Sequence, residues 1–223
     1  MGKEDKEERK KRWEEGRRKE EKKEDVDEAG KKEYRTHPND KKWTDVGCRA
    51  KLVVDNQATA NTLNRKAACK NSYFKPVIRR CINLQGDLVR TGWRPFKEGG
   101  DFLEWRPRIF NKIADNIANL VMDHGRGFSY RNDRLLEAIR PGNANVLVFS
   151  DGGSRPCDSV ASGGWVAFVL GGHWGEQDNS AHLLASEGIM IDSAVSAFQA
   201  EITAAASALD FISSLSKPVG GSL

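Results

Sequence analysis

Apolar residues are sparse over the first 42 positions, then recur in two rhythms as far as about residue 212. The run from Ala50 to Asp55 reads as a buried strand. A short helix follows from about Ala58 to Arg65, and a longer one from about Lys75 to Val89 has Val77, Cys81, Leu84 and Leu88 as its apolar face. Gly92, Pro95 and Gly99-Gly100 punctuate the next stretch. Phe102 to Arg106 reads as a strand closed by Pro107, and Asn111 is the candidate N-cap of a helix running to about Met122. Residues 123–143 make a polar connector with a short helix at Asp133 to Ile139, ended by Pro141-Gly142. A strand from Val146 to Ser150 precedes the turn-forming GGSRPCDS. Gly163-Gly164 leads into the strand WVAFVL, and the loop GGHWGEQDNS leads into a third strand from about Leu183 to Ile191, which completes a meander. In the last helix Phe198, Ile202, Ala205, Leu209 and Ile212 alternate steps of four and three, the signature of one buried face. Glu201 lies about 60° from that stripe, at its rim.

Length and charge narrow the classes. A chain of 223 residues holds one ordinary domain with extensions, or two very small ones. No run approaches the roughly 18 apolar residues of a membrane span, and the start lacks the pattern of a secretory signal, so a soluble intracellular protein of nucleus or cytoplasm is expected, with no membrane partner. Cys48, Cys69, Cys81 and Cys157 show neither zinc nor redox spacing and fit ordinary thiols in a reduced compartment. Residues 1–42 carry 16 Lys and Arg against 14 Asp and Glu, a composition that buries no core and reads as a disordered or helical solvated tail. A nuclear-import or RNA-contacting arm on Lys10, Lys11, Arg12, Arg17, Arg18 and Lys19 is weakened by the acids spaced among them. Beyond the tail, residues 43–112 hold 14 bases and 6 acids, whereas residues 113–223 hold 6 bases and 12 acids. If both segments share one fold, a basic face stands beside an acidic pocket, as an enzyme that grips and cuts a phosphate backbone requires; otherwise they are two unrelated charged surfaces.

Two strands end in an aspartate: Asp55 in KLVVDNQ and Asp151 in NVLVFSDGGSR. Each has a helix carrying a further acid, Asp115 in FNKIADNIANL and Glu201 in FQAEITAAASAL. Four converging carboxylates read as a divalent-metal site, and all-oxygen ligands suit Mg²⁺ or Mn²⁺. Strand-ending aspartates also start turns, DNQ also caps a helix, and Asp115 lies off the Phe110, Ile113 and Ile117 stripe, so it serves only if the first turn of its helix abuts the other acids.

Over most of residues 48–213 these pieces resemble the ribonuclease H family. FSDGGSR with GGWVAFVL is similar to its first two strands, QAEITAAASAL to its first helix, and VVDNQATANTL to its fourth strand and the helix after it. EWRPRIFNKIADNIAN resembles the closing strand and helix of plant and retroelement members. The resemblance implies an α/β fold with a mixed five-stranded sheet flanked by helices, in circularly permuted order. Residues 43–122 supply the C-terminal-type segment, 123–143 the connector and 144–223 the N-terminal-type segment, with 43–223 forming one domain. Extended, the connector spans up to about 70 Å. The alternative is a fragment of a tandem array, completed by exchange between two chains.

The family's activity is hydrolysis of the RNA strand of an RNA–DNA hybrid. Carried over, Asp151, Glu201, Asp55 and Asp115 hold two metal ions, and Gln57 contacts the minor groove. Gly152 and Ser154 belong to the nucleic-acid-binding set, and Arg79, Arg80, Arg94, Arg106, Arg108 and Lys112 are its phosphate contacts. Two features depart from the pattern. The loop before the closing helix has Arg106-Pro107-Arg108 and no histidine, and Ala197 and Phe198 stand where bacterial members place asparagines. Trp105 and Trp165, attractive for stacking, lie within apolar strands where aromatics usually serve the core. A catalytically silent nucleic-acid-binding module and a transposase-like nuclease acting on DNA are the competing readings.

Overall fold

A computed structural model describes residues 48–139, 144–170, 180–191 and 196–215, all within the compact unit Asp45–Leu223. The charged tail with its candidate import arm, the Pro141-Gly142 helix stop and residues 171–179 of the GGHWGEQDNS loop lie outside the described residues.

The chain enters at β1 (Arg49–Val54) and turns into α1 (Gln57–Leu63). The side chain of Asn56 caps α1, accepting from the backbone N–H groups of Ala58 at 2.9 Å and Thr59 at 3.3 Å. Then come α2 (Lys75–Arg90), β2 (Arg94–Pro95), β3 (Leu103–Trp105) and α3 (Lys112–His124), which Gly125 ends at φ 64°. β4 (Phe128–Arg131) and α4 (Asp133–Ala138) lead to the long strands β5 (Asn145–Arg155), β6 (Val160–Leu170) and β7 (Ala181–Ile191). The last element is α5 (Ala197–Ser214), capped by Ser196 through the backbone N–H of Gln199.

The seven strands among the described residues form one mixed sheet in the order β2-β1-β5-β6-β7-β4, with β3 also on β1. β1 runs parallel to β5 from Arg49↔Asn145 to Val53↔Phe149, so the basic and the acidic segment share a sheet. β2 pairs with the start of β1 and β3 with its end, both in parallel, and together they make an interrupted edge. β5, β6, β7 and β4 follow antiparallel.

The sheet therefore has seven strands where five were expected. β4 falls in the connector; its FSYR is exposed at every position and has no burial rhythm to read, and only pairing with β7 makes it a strand. Asp151-Gly152-Gly153-Ser154 continues β5 instead of turning, because its ladder with β6 runs on through Gly152↔Gly163 to Arg155↔Val160. The buried stripe of α2 is Ile78, Cys81 and Leu88, and Val77 and Leu84 are only half-buried beside it. Asn111 occupies the N-cap position of α3 without capping it.

Helices cover both faces. α5 lies across β5, β6 and β1 with α2 behind it, and α3 lies across β5, β6 and β7 on the other side. Two glycines set the spacing. A Cβ at Gly152 would fall 2.2 Å from both Ala200 C and Glu201 N, and one at Gly164 would fall 2.6 Å from Ile117 Cγ2 and 2.7 Å from Ala118 N. α5 is buried almost all round, by Ala200, Ala204, Ala205 and Ala208 as well as Ile202, Leu209 and Ile212, as befits a helix held between a sheet and another helix. Trp165 is core: its ring stacks 4.7 Å from that of Phe211, and Nε1 donates to Glu187 Oε2 at 2.9 Å and Ser207 Oγ at 3.0 Å. Cys48 and Cys81 are buried thiols; burial pushes Cys81 up to about 12. Among the described residues no helix is long and apolar enough to cross a membrane.

The backbone contact at Gly152 predicts a sharp contrast. Gly152→Ala should lower the unfolding free energy in urea by about 3 kcal/mol or more. Gly153→Ala, whose Cβ meets only the flexible end of Met122 at 3.1 Å, should cost about 1 kcal/mol or less.

Candidate metal centre

The β1–β5 ladder stops at Val53↔Phe149, whereas β5 runs on for six more residues, to Arg155. Acidic groups collect where β1 falls away, at the carboxyl end of a parallel strand, the usual place for a site in such sheets. Asp55 follows the last residue of β1. Asp151 sits within β5 opposite Gly164. Glu201 comes from α5, brought down by the close approach of Gly152 to the backbone of Ala200 and Glu201. One carboxylate oxygen from each of Asp55, Asp151 and Glu201 lies within 4.8 Å of the other two. Asp151 is 6% exposed, and Asp55 and Glu201 are half-buried.

Burial raises all three, and repulsion from neighbouring carboxylates adds to it. Desolvation is the largest cause raising Asp151, with the charge of Asp55 next, and together they push it up to about 8 despite the Gly152 N–H donating to Oδ1 at 2.8 Å. Asp55 is raised by burial, partly offset by the charge of Arg108. Glu201 is also raised by burial, although Thr59 Oγ1 donates to Oε2 at 2.7 Å and Asn56 Nδ2 donates to Oε1 at 3.1 Å. Three carboxylates held this close, one buried and two half-buried, favour a proton or a cation between them, and their oxygens could hold a divalent ion. Two further buried oxygens, Asn111 Oδ1 and Ser150 Oγ, have no partner among the described residues. Asn111 itself is fully buried and donates through Nδ2 to the Ser150 carbonyl at 2.9 Å, which ties the start of α3 to β5 beside Asp151.

The remaining candidates separate by position. Asp115, in the first turn of α3, is close enough for its charge to raise Asp55 and Asp151, but it is outside the triad and paired with Arg108. Three of the four expected acids are thus brought together as a possible ligand set, and the fourth stands alongside. Arg106 pairs with Glu104, and Arg80 pairs with Asp210 across α2 and α5. Arg94 is at the opposite end of the sheet: it pairs with Arg49, six residues before Asp55, or about 20 Å along the strand. Arg79 faces away on α2, lining a cavity of about 520 Å³ with Arg65, Lys66 and Lys75. Gln57 and Lys112 are exposed at the first turns of α1 and α3, and Ser154 is half-buried in β5 opposite Ala161. Gly152 is buried against α5, so its part is spacing the helix rather than touching a ligand. Trp105 is 43% exposed, and its Nε1 donates to the Asp55 carbonyl at 2.9 Å, so this aromatic within a strand is not a core residue.

Sequence reasoning gave Asn56 and Asn111 only capping roles and Thr59 none, and placed none of them at the site. Asn56 and Thr59 stand three apart at the start of α1, a spacing that puts both on one helical face and allows both to reach one carboxylate. Asn111 is concealed by its N-cap position. Neither a protein-family model, nor a curated protein, nor a solved structure matches this chain.

Two predictions follow from this electrostatics. Asp151 keeps its proton in the folded chain until about pH 8 but loses it near pH 4 when unfolded, so in EDTA its contribution to stability falls as pH rises between those values. At pH 7.5 Asp151→Asn should therefore raise Tm in EDTA and abolish the Tm gain that Mn²⁺ produces in the unaltered protein, read by differential scanning fluorimetry. Thr59→Val should weaken Mn²⁺ binding by about 10- to 100-fold in calorimetric titration, because it removes the donor that orients Glu201.

Proposed function

We propose that this protein is a ribonuclease H-like endonuclease that hydrolyses the RNA strand of RNA–DNA hybrids with the help of divalent metal ions. The observation that carries the reading is the triad: three carboxylates from two strands and a helix, distant in sequence, with oxygens within 4.8 Å of one another. The sheet supports the permuted order. With β5 taken as the family's first strand, β6 and β7 stand as second and third, and β1 and β3 as fourth and closing strands, so the spatial order β3-β1-β5-β6-β7 corresponds to fifth, fourth, first, second, third. Because β1 pairs with β5 of the same chain, the ladder needs no exchange between copies.

Asp55, Asp151 and Glu201 would hold Mg²⁺ or Mn²⁺, which lowers the pKa of bound water and stabilises developing charge on a phosphodiester. Asn56 and Thr59 fix both oxygens of Glu201, the Gly152 N–H orients Asp151, and Asn111 ties the start of α3 to β5 beside it. A second ion would draw on Asp115, which requires Arg108 to leave it; an incoming phosphate is the natural competitor for that guanidinium. Gln57 and Lys112 at neighbouring helix starts are placed to meet the backbone of a bound strand. The Arg108–Asp115 pair also favours a second reading, a catalytically silent binding module in which the arginine keeps the fourth acid occupied.

Purified protein with Mg²⁺ and labelled hybrid, duplex DNA and duplex RNA distinguishes these readings. Cleavage confined to the RNA strand of the hybrid, reduced to background by Asp55→Asn and by Asp151→Asn while hybrid binding persists, is the expected result. Cutting of duplex DNA would indicate the transposase-like nuclease, and binding without Mg²⁺-dependent cutting the silent module.

A further inference from the structure

From the last residue of β3 onward the chain displays apolar surface that the fold does not use. Trp105 is 43% exposed, Ile109 65%, Phe110 63% and Ile113 53%, and these are four of the ten large exposed hydrophobics among the described residues, gathered within nine positions. Exposed apolar side chains this close along one short segment call for an explanation that scattered single residues do not.

The backbone beneath is firmly held. Arg106 N–H donates to the Val54 carbonyl at 2.9 Å and the Trp105 indole to the Asp55 carbonyl at 2.9 Å. Beyond Pro107 one 3₁₀ turn (Arg108–Phe110) follows, in which the Phe110 and Asn111 N–H groups donate to the Pro107 and Arg108 carbonyls, each at 2.9 Å. Buried Asn111 then anchors the turn to Ser150. The segment is pinned at one end to the strand of Asp55 and at the other to the strand of Asp151, so a held backbone carries the apolar side chains beside the acids, which lowers the entropy cost of binding.

Charge selects the occupant. Residues 105–113 contain Arg106, Arg108 and Lys112 and no acid. The side chains of Arg106 and Arg108 are 52% and 71% exposed, and their ion pairs with Glu104 and Asp115 are exposed enough to exchange partners at little cost. An apolar protein face would desolvate these ion pairs and offer Arg106, Arg108 and Lys112 no anionic group in exchange. A ligand with flat apolar faces on an anionic backbone matches both features, and only unpaired nucleobases offer such faces, since a duplex stacks them away.

We propose that residues 105–113 form a stacking surface for an unpaired nucleobase adjoining the strand that enters the acidic site, with Phe110 as the principal platform. This rests on the nuclease reading above.

The test uses the full chain in EDTA and fluorescence anisotropy with a blunt RNA–DNA hybrid and the same hybrid carrying a single-stranded extension. The extension should tighten binding by about tenfold. Phe110→Ala should abolish that gain while leaving the blunt hybrid unchanged, Phe110→Trp should keep it, and an abasic extension should not confer it. The inference is overturned if Phe110→Ala leaves the gain intact or weakens both ligands equally. It also falls if the substitution converts a dimer to a monomer in sedimentation, which would make the surface a contact between copies. Failure of the nuclease reading looks different: no Mg²⁺-dependent cleavage by the unaltered protein, with a Phe110-dependent gain still present.

Discussion

Five paired residues of a parallel ladder hold the protein's two oppositely charged segments together. Between Arg49↔Asn145 and Val53↔Phe149, β1 and β5 share the centre of the sheet, and everything that makes a site depends on their running in the same direction. Parallel pairing puts the end of β1 beside the continuing β5, so Asp55 arrives next to Asp151. An antiparallel pairing would send Asp55 to the far end of the sheet. The side chains along the ladder are also among the best buried in the molecule, Ala50, Leu52, Val146 and Val148 being fully enclosed, so the hydrophobic effect that assembles the core also assembles the acids.

The second constraint is the absence of side chains where helices meet strands. Gly152 lets the backbone of α5 approach β5 closely enough for Glu201 to reach the strand end, and Gly164, opposite Asp151, lets α3 settle on the other face. Neither glycine has a positive φ; each is needed for space. The acids are then brought together at an energetic cost, because burial and repulsion from neighbouring carboxylates raise all three, and hydrogen bonds from Asn56, Thr59 and Gly152 offset only part of it. Concentrated, unfavourable charge of this kind is more characteristic of a binding centre than of a structural ion pair.

Around the acids the positive charges are largely committed to partners. Arg106 and Arg108 are engaged by Glu104 and Asp115, and Arg80 serves the contact between α2 and α5. The basic segment is therefore not one continuous anion-binding face. Part of it lines the cavity beside α2, part borders the acids, and Arg94 lies at the other end of β1.

Local patterning determined a good deal by itself: the apolar runs of β1, β5, β6 and β7, the helical stripe of α5, the aspartates at Asp55 and Asp151, and Glu201 at the rim of a buried face are all legible along the chain. Periodicity records which side of an element is buried, and that is decided within a few residues. The tertiary structure decided the rest. FSYR became β4 because β7 offered an edge, DGGSR stayed extended because β6 continued beside it, Asp115 was drawn to Arg108, and Asn111 turned inward to Ser150. Each of these outcomes depends on a partner far away in sequence, and no local rhythm encodes the position of a group that only folding brings near.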